Sequence, residues 1–144
     1  MTSVSQEEKN FVGMAYYKPE PDEEYMNPSQ QKHFVAVLKA WRSMLMKDAD
    51  KAVSYLHDNQ NCPDPIDRAA HEDEQFFELR TRDRERKLIA KIDKTIEKVL
   101  KNEYGWCSSC DRPIGLARLE ARPTATQCID CKTFSEAKED REIY

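Results

Sequence analysis

Between Pro65 and Gly105 the chain contains neither proline nor glycine, so nothing in its backbone chemistry interrupts a helix across that stretch. A helix of about 36 residues rising 1.5 Å per residue reaches roughly 54 Å, more than the width of a small domain. Such a rod leaves its apolar stripe in water unless a second long helix covers it. The sequence supplies one upstream. Asn27 suits a helix N-cap, Pro28 the first helical position, and Gln30 stands where it can complete a capping box. From there Phe34, Leu38, Trp41, Leu45, Ala49, Ala52 and Leu56 recur at steps of 4, 3, 4, 4, 3 and 4, an apolar stripe near helical period. The run Asn59-Gln60-Asn61-Cys62-Pro63 breaks the helix, and Asp64-Pro65-Ile66-Asp67 starts the next, with Asp64 as N-cap and Asp67 favouring the positive helix end. The second helix has its own stripe in Ala70, Phe77, Thr81, Leu88, Ile92, Ile96 and Val99. Two long helices joined by a short turn pair antiparallel.

The expected fold is therefore mainly α: a long antiparallel coiled-coil hairpin projecting from a small globular lobe. Residues 1–26 read as an irregular arm whose aromatics pack on that lobe. Residues 27–103 form the hairpin, with its tip near 59–70, and residues 104–144 the remainder of the lobe with a C-terminal helix. Composition excludes several other classes. Charged residues make up 35% of the 144, hydrophobic ones 39%, too little apolar surface for a thick interior. Only three glycines occur, so there is no Gly-rich phosphate loop or dinucleotide fingerprint. The longest purely apolar run, residues 34–38, is far short of a membrane span, and no signal segment follows Glu7 and Glu8. A net charge of -4 argues against an electrostatic grip on nucleic acid. A cytoplasmic, non-enzymatic monomer is the expectation.

Residues 104–144 hold the most specific motif. Cys107-Ser108-Ser109-Cys110 and Cys128-Ile129-Asp130-Cys131 give C-x2-C-x17-C-x2-C, the spacing at which two thiolate pairs close a tetrahedron around one Zn²⁺. Four protein ligands leave no position for a reactive water, so the ion is structural. The lobe is too poor in large apolar side chains to fold without it, and structural zinc contributes about 10–16 kcal/mol of apparent binding energy in small modules. A thioredoxin-like redox centre needs a βαβ context that is missing and leaves the second pair unexplained. Six basic residues against seven acidic ones in 104–144 make a DNA-binding finger the weaker reading.

The hairpin tip is acidic. From His57 to Glu74 stand Asp58, Asp64, Asp67, Glu72, Asp73 and Glu74 with Arg68 the only strong base, so this end carries more negative charge than the whole chain. Asp64 and Asp67 serve as helix-start residues, a role Ser or Thr fills as well, whereas carboxylates at the end of a long rod deliver charge into a recess. Behind them Arg80, Arg82, Arg84, Arg86 and Lys87 alternate with Asp83 and Glu85, the pattern of a solvated face with i,i+4 pairs or of a docking surface of opposite sign. Cys62 reads as a spectator thiol. His33, His57 and His71 lack metal spacing and a nucleophile partner.

The runs Asp64-Pro65-Ile66-Asp67-Arg68-Ala69-Ala70, residues 78–89 (ELRTRDRERKLI), residues 118–125 (RLEARPTA) and Cys128-Ile129-Asp130-Cys131-Lys132 closely resemble the DksA/TraR zinc-finger family of bacterial RNA polymerase-binding transcription factors. Residues 23–27 and Ala40-Trp41-Arg42 resemble it too, so the likeness covers nearly the whole chain from about residue 20. It implies a protein that inserts its coiled coil into the secondary channel of RNA polymerase. Acting with guanosine tetraphosphate in the stringent response, it destabilises open complexes at ribosomal RNA promoters and helps activate some others. By motif position, the resemblance makes Asp64, Asp67 and Ala69 the tip residues and Leu88, Lys91, Arg122 and Lys132 this chain's part of a nucleotide site shared with polymerase. Arg84 falls where members dock on the polymerase rim helices. Two departures stand out: Asp111 follows Cys110 where glycine is common, and Cys62 adds a thiol near the tip. A transcript-cleavage factor of the Gre kind, holding a catalytic Mg²⁺ with paired carboxylates, remains an alternative. So does a zinc-finger nucleic-acid binder.

Overall fold

The computed structural model describes the backbone of residues 8–58 and 64–143. The helices are α1 (Pro28–Asp58), α2 (Pro65–Leu100), α3 (Leu116–Ala121) and α4 (Ile129–Ile143). Among the described residues, extended pairing is confined to isolated bridges, Lys9 with Ala15 and Trp106 with Pro113. The fold is mainly α, as the sequence predicts. Residues 59–63, with Cys62, lie outside the described residues, as do the side chains of Ala52 and Leu56. No helix among the described residues is long and apolar enough to cross a membrane.

The helix boundaries follow from local chemistry. Asn27 Oδ1 accepts the Gln30 N–H at 2.9 Å, capping α1. Gln30 Oε1 in turn accepts the Met26 N–H at 2.7 Å, so the returning bond of the capping box closes one residue earlier than expected. At the start of α2, Asp64 Oδ1 accepts the Ile66 N–H at 3.0 Å. The second helix runs the 36 residues expected and stops ahead of Gly105. Asn102 adopts the left-handed conformation (φ 60), Glu103 N–H donates to Lys98 O at 2.9 Å and Asn102 N–H donates to Val99 O at 3.1 Å. This is a Schellman closure, and asparagine tolerates the left-handed well better than other residues with a Cβ.

The chain divides into two compact units, Met1–Lys39 with Thr95–Tyr144, and Ala40–Lys94. The first holds most of the core. Phe34, Val37, Leu38 and Leu119 are fully enclosed, and Val99, Tyr104, Ile114 and Met26 are buried with them. The Phe34 and Tyr104 rings meet at 5.7 Å, and the Tyr104 hydroxyl donates to Pro123 O at 2.7 Å. Burial pushes the Tyr104 hydroxyl far above its ordinary range, so it remains a donor.

The second unit is a pair of helices with little enclosed volume. Arg42, early in this unit's stretch of α1, donates to Asp93 Oδ1, late in its stretch of α2, at 2.8 Å, a pairing that suits an antiparallel hairpin. Trp41, Leu45 and Ala49 are half-buried, as the α1 stripe predicts. The α2 stripe needs correction. Ala70, Phe77 and Thr81 are exposed, Phe77 to 73%. The least exposed positions are instead His71, Gln75, Glu78, Arg82, Glu85, Ile89 and Ile92, at steps of 4, 3, 4, 3, 4 and 3. That is the 3.5-residue period of a two-helix seam. Four of these residues are Gln, Glu or Arg, whose aliphatic stems cover apolar surface while their heads stay wet, so counting only apolar letters misses the seam.

Candidate metal centre and the arm clamped beside it

The two cysteine pairs are positioned by different devices. Cys107 and Cys110 sit in a tight turn closed by Cys107 N–H to Arg112 O at 2.8 Å and Asp111 N–H to Cys107 O at 3.0 Å. Asp111 has φ 59, a left-handed conformation that glycine adopts most freely and aspartate tolerates, so the aspartate keeps the turn geometry. Cys128 and Cys131 stand just before and within the first turn of α4. The two turns are tied by Ser108 N–H to Thr126 O at 2.9 Å and Gln127 Nε2 to Ser109 Oγ at 3.0 Å.

All four sulfurs lie within 4.8 Å of one another. Cys110 Sγ and Cys128 Sγ are 3.7 Å apart. A tetrahedral site with Zn–S near 2.3 Å has sulfur–sulfur edges of about 3.8 Å, whereas a disulfide would need about 2.05 Å. The cluster thus fits a four-thiolate zinc site and not a pair of bridges. Its protonation pattern fits as well. Burial pushes the Cys107 thiol up, but the backbone N–H groups of Cys128, Cys110 and Ser109 more than offset this and hold it down at about 6. Cys131 is pushed up to about 12, first by its contact with Cys128 and then by Cys107 and Cys110. One negative charge is welcome in this nest and further ones need a cation. Cys107, Cys110, Cys128 and Cys131 would hold the zinc, which when bound supplies that charge and cross-links the two turns.

Sequence reasoning missed a second cluster in the same unit. Glu120, on α3, is buried, and its carboxylate collects three contacts. Tyr17 N–H donates to Oε1 at 2.9 Å, Asn10 Nδ2 donates to Oε2 at 3.2 Å, and His33 Nε2 meets Oε1 at 2.6 Å. A carboxylate offers only acceptors, so Nε2 carries the hydrogen. The arm is pinned at a second place. The Tyr25 hydroxyl donates to Gly105 O at 2.7 Å and accepts the Gly115 N–H at 3.1 Å, while its ring meets Trp106 edge-on at 5.3 Å. Gly105 (φ +93) has no space for a side chain, since a Cβ there would lie 2.8 Å from Met26 Cγ. No spacing rule announces Glu120 or His33. Each becomes meaningful only when residues far apart in sequence meet.

The remaining candidates divide between the units. In the first, Arg122 is exposed at the end of α3, where its N–H donates to Arg118 O at 2.7 Å. Lys132 is half-buried, directly follows a cluster cysteine, and has its Nζ 3.7 Å from Glu136 Oε1. In the second unit, Leu88 is half-buried and Lys91 exposed, one turn apart on α2; Arg84 is exposed. Asp64, Asp67 and Ala69 are exposed in and just before the first turn and a half of α2.

Residues 30–99 match the family described as DnaK suppressor protein DksA, N-terminal domain, and residues 102–137 match the prokaryotic dksA/traR C4-type zinc finger. The chain belongs to the DksA family. It is 53% identical over 130 residues to the RNA polymerase-binding transcription factor DksA of Escherichia coli (strain K12), covering 90% of this chain and 86% of that one. The protein of the same description in Buchnera aphidicola subsp. Schizaphis graminum is 49% identical over the same share. The solved structure of transcription factor DksA2 from Pseudomonas aeruginosa superimposes with a TM-score of 0.75 at 38% identity, covering 87% of this chain and 95% of that one. Within this family the four-sulfur cluster is a C4-type zinc finger, and zinc is the ion the site is built for.

Proposed function

We propose that this DksA-family chain is a regulator of transcription that acts by binding RNA polymerase directly and catalyses no reaction of its own. The observation that carries this reading is the 53% identity, over 90% of the chain, to proteins described as RNA polymerase-binding transcription factors. The division of labour follows the chain: residues 1–26 as arm, 27–103 as coiled-coil hairpin, 104–144 as zinc-finger lobe. The hairpin enters the secondary channel, where Asp64 and Asp67, with Ala69 beside them, bring negative charge near the polymerase active site. Arg84 docks on the rim helices. Leu88, Lys91, Arg122 and Lys132 are this chain's share of a guanosine tetraphosphate site completed by polymerase. Lys and Arg are the side chains a polyphosphate requires, and Arg122 and Lys132 owe their placement to turns that the cysteine cluster holds. The outcome is destabilisation of open complexes at ribosomal RNA promoters, strengthened by the nucleotide. The protein works as a cytoplasmic monomer without sequence-specific contacts to DNA.

Transcription in vitro from a ribosomal RNA promoter, with and without guanosine tetraphosphate, tests this. Repression deepened by the nucleotide is expected. Brisk cleavage of nascent RNA in a backtracked elongation complex would instead place the chain with Gre-type factors, and steeply salt-dependent DNA binding without polymerase would make it a nucleic-acid binder.

A further inference from the structure

The residues left out of the helical seam carry an inference of their own. Counting 100° per residue, Ile66, Ala70, Asp73, Phe77 and Thr81 line one side of α2, about 120° around the helix from the seam that faces α1. Ile66 is 80% exposed and Phe77 73% exposed, in a part of the helix where burying either side chain against α1 would require a different rotation of α2. A large exposed aromatic with a defined setting marks an interaction surface more often than a scattered apolar residue does. The setting here is a shallow cleft of about 400 Å³ formed by Phe77 with Asp73, Glu74 and Glu78. Residues 64–78 carry six carboxylates against one arginine, so the field around the ring is strongly negative. Asp73, Glu74 and Glu78 all line this cleft with the ring; Glu78 does so although it occupies a seam position, and Glu74 Oε2 also stands 3.9 Å from His71 Nδ1.

An aromatic face ringed by carboxylates is the chemistry that receives a cation. The quadrupole of the ring attracts the charge, and the acids pair with its N–H donors. The same helix already uses half of that arrangement internally: the Arg80 guanidinium lies 5.5 Å from the centroid of Phe76, on the neighbouring flank. Phe76 is thereby occupied by a residue of its own helix, and Phe77 presents the equivalent ring to the outside.

We propose that Phe77, with Asp73 and Glu78, is a docking site for an arginine- or lysine-bearing segment of RNA polymerase. It is a contact separate from the tip aspartates and from Arg84. The site rests on the polymerase-binding function proposed above and deepens it by naming the chemistry of the surface met by this side of α2. The basic side chain stacks on the Phe77 ring and its nitrogen donors bond to the flanking carboxylates.

The test uses the full-length zinc-loaded chain titrated against RNA polymerase at two salt concentrations, with helicity and zinc content measured on each variant. Phe77→Ala should weaken binding roughly tenfold with helicity and zinc unchanged. Phe77→Tyr, which keeps the ring, should restore binding, and Phe77→Leu, which keeps apolar area without the quadrupole, should not. The double variant Asp73→Asn, Glu78→Gln should weaken binding and flatten its salt dependence. Phe76→Ala should bind as the unmodified chain does. Unmodified affinity in Phe77→Ala or Phe77→Leu, while the parent chain binds polymerase, overturns the docking site and leaves the general function standing. Failure of the parent chain to bind polymerase overturns both. If Phe77→Ala instead abolishes a concentration-dependent self-association of the parent chain in sedimentation, the face belongs to a second copy and the proposal is wrong.

Discussion

Replacing Glu120 by alanine removes one acceptor group and leaves three donors without it: Tyr17 N–H, Asn10 Nδ2 and His33 Nε2. Asn10 cannot compensate by turning its amide, because its Oδ1 already accepts the N–H groups of Val12 at 3.2 Å and Met14 at 3.0 Å. A buried donor stripped of its partner costs about 1–3 kcal/mol. Tyr17 is only half-buried and recovers part of its loss from water, so the expected destabilisation is about 3–5 kcal/mol and not the sum of three full penalties. For a chain of this size the melting temperature should fall by roughly 10 °C or more. Glu120→Gln is the informative companion. Its oxygen can keep the Tyr17 and His33 bonds, but its NH₂ then faces the Asn10 NH₂, a donor against a donor, for a loss of about 1–3 kcal/mol. Urea unfolding followed by circular dichroism at pH 7 reads both values, and limited proteolysis reads the release of the arm around Asn10 and Tyr17. If Glu120→Ala unfolds within about 0.5 kcal/mol of the parent chain, at the level of an ordinary surface substitution, then the buried carboxylate is not what holds the arm.

Other outcomes follow from the same geometry. Cys107→Ser removes the most enclosed cluster sulfur and should release the zinc and make residues 104–144 protease-sensitive; unchanged metal stoichiometry by atomic absorption would refute the four-sulfur site. Asn102→Ala forces a residue with a Cβ and no local side-chain bond into a left-handed position (φ 60) and deletes the 3.0 Å bond from Gln31, so a loss of about 1–2 kcal/mol in urea unfolding is expected, with Asn102→Gly losing less. Asp67→Asn should bind polymerase nearly as the parent does yet fail to inhibit a ribosomal promoter in vitro; equal loss of both would refute the separation of tip from shaft. Lys91→Ala should abolish most of the extra repression that guanosine tetraphosphate brings, and an undiminished response to the nucleotide counts against its place in that site.

Local rules explain why so much of the skeleton is legible in the sequence. Helix boundaries depend on groups a few residues apart: Asn27 and Asp64 cap with their own side chains, Pro28 and Pro65 fit only the first turn, and the spacing within each cysteine pair dictates a turn that points both sulfurs one way. Family motifs are likewise strings of neighbours. The register of the hairpin was not local in this sense. An apolar period near 3.6 put Ala70, Phe77 and Thr81 on the buried face, whereas the pairing of two helices imposed a 3.5 period and selected Gln75, Glu78, Arg82 and Glu85. Phe77 was thus readable as a core residue and is in fact on the surface.

The sequence alone determined the helices, their ends to within a few residues, the thiolate site and the acidic and basic blocks, because each is set by short-range geometry or by charge that travels with the residue. Tertiary structure alone decided that Glu120 gathers Asn10, Tyr17 and His33, that Tyr25 bridges Gly105 and Gly115, and that Phe77 faces outward. The physical reason is the same in each case. A buried carboxylate, a bridging hydroxyl and an exposed ring are defined by which distant parts of the chain exclude water around them, and no interval counted along the sequence contains that information.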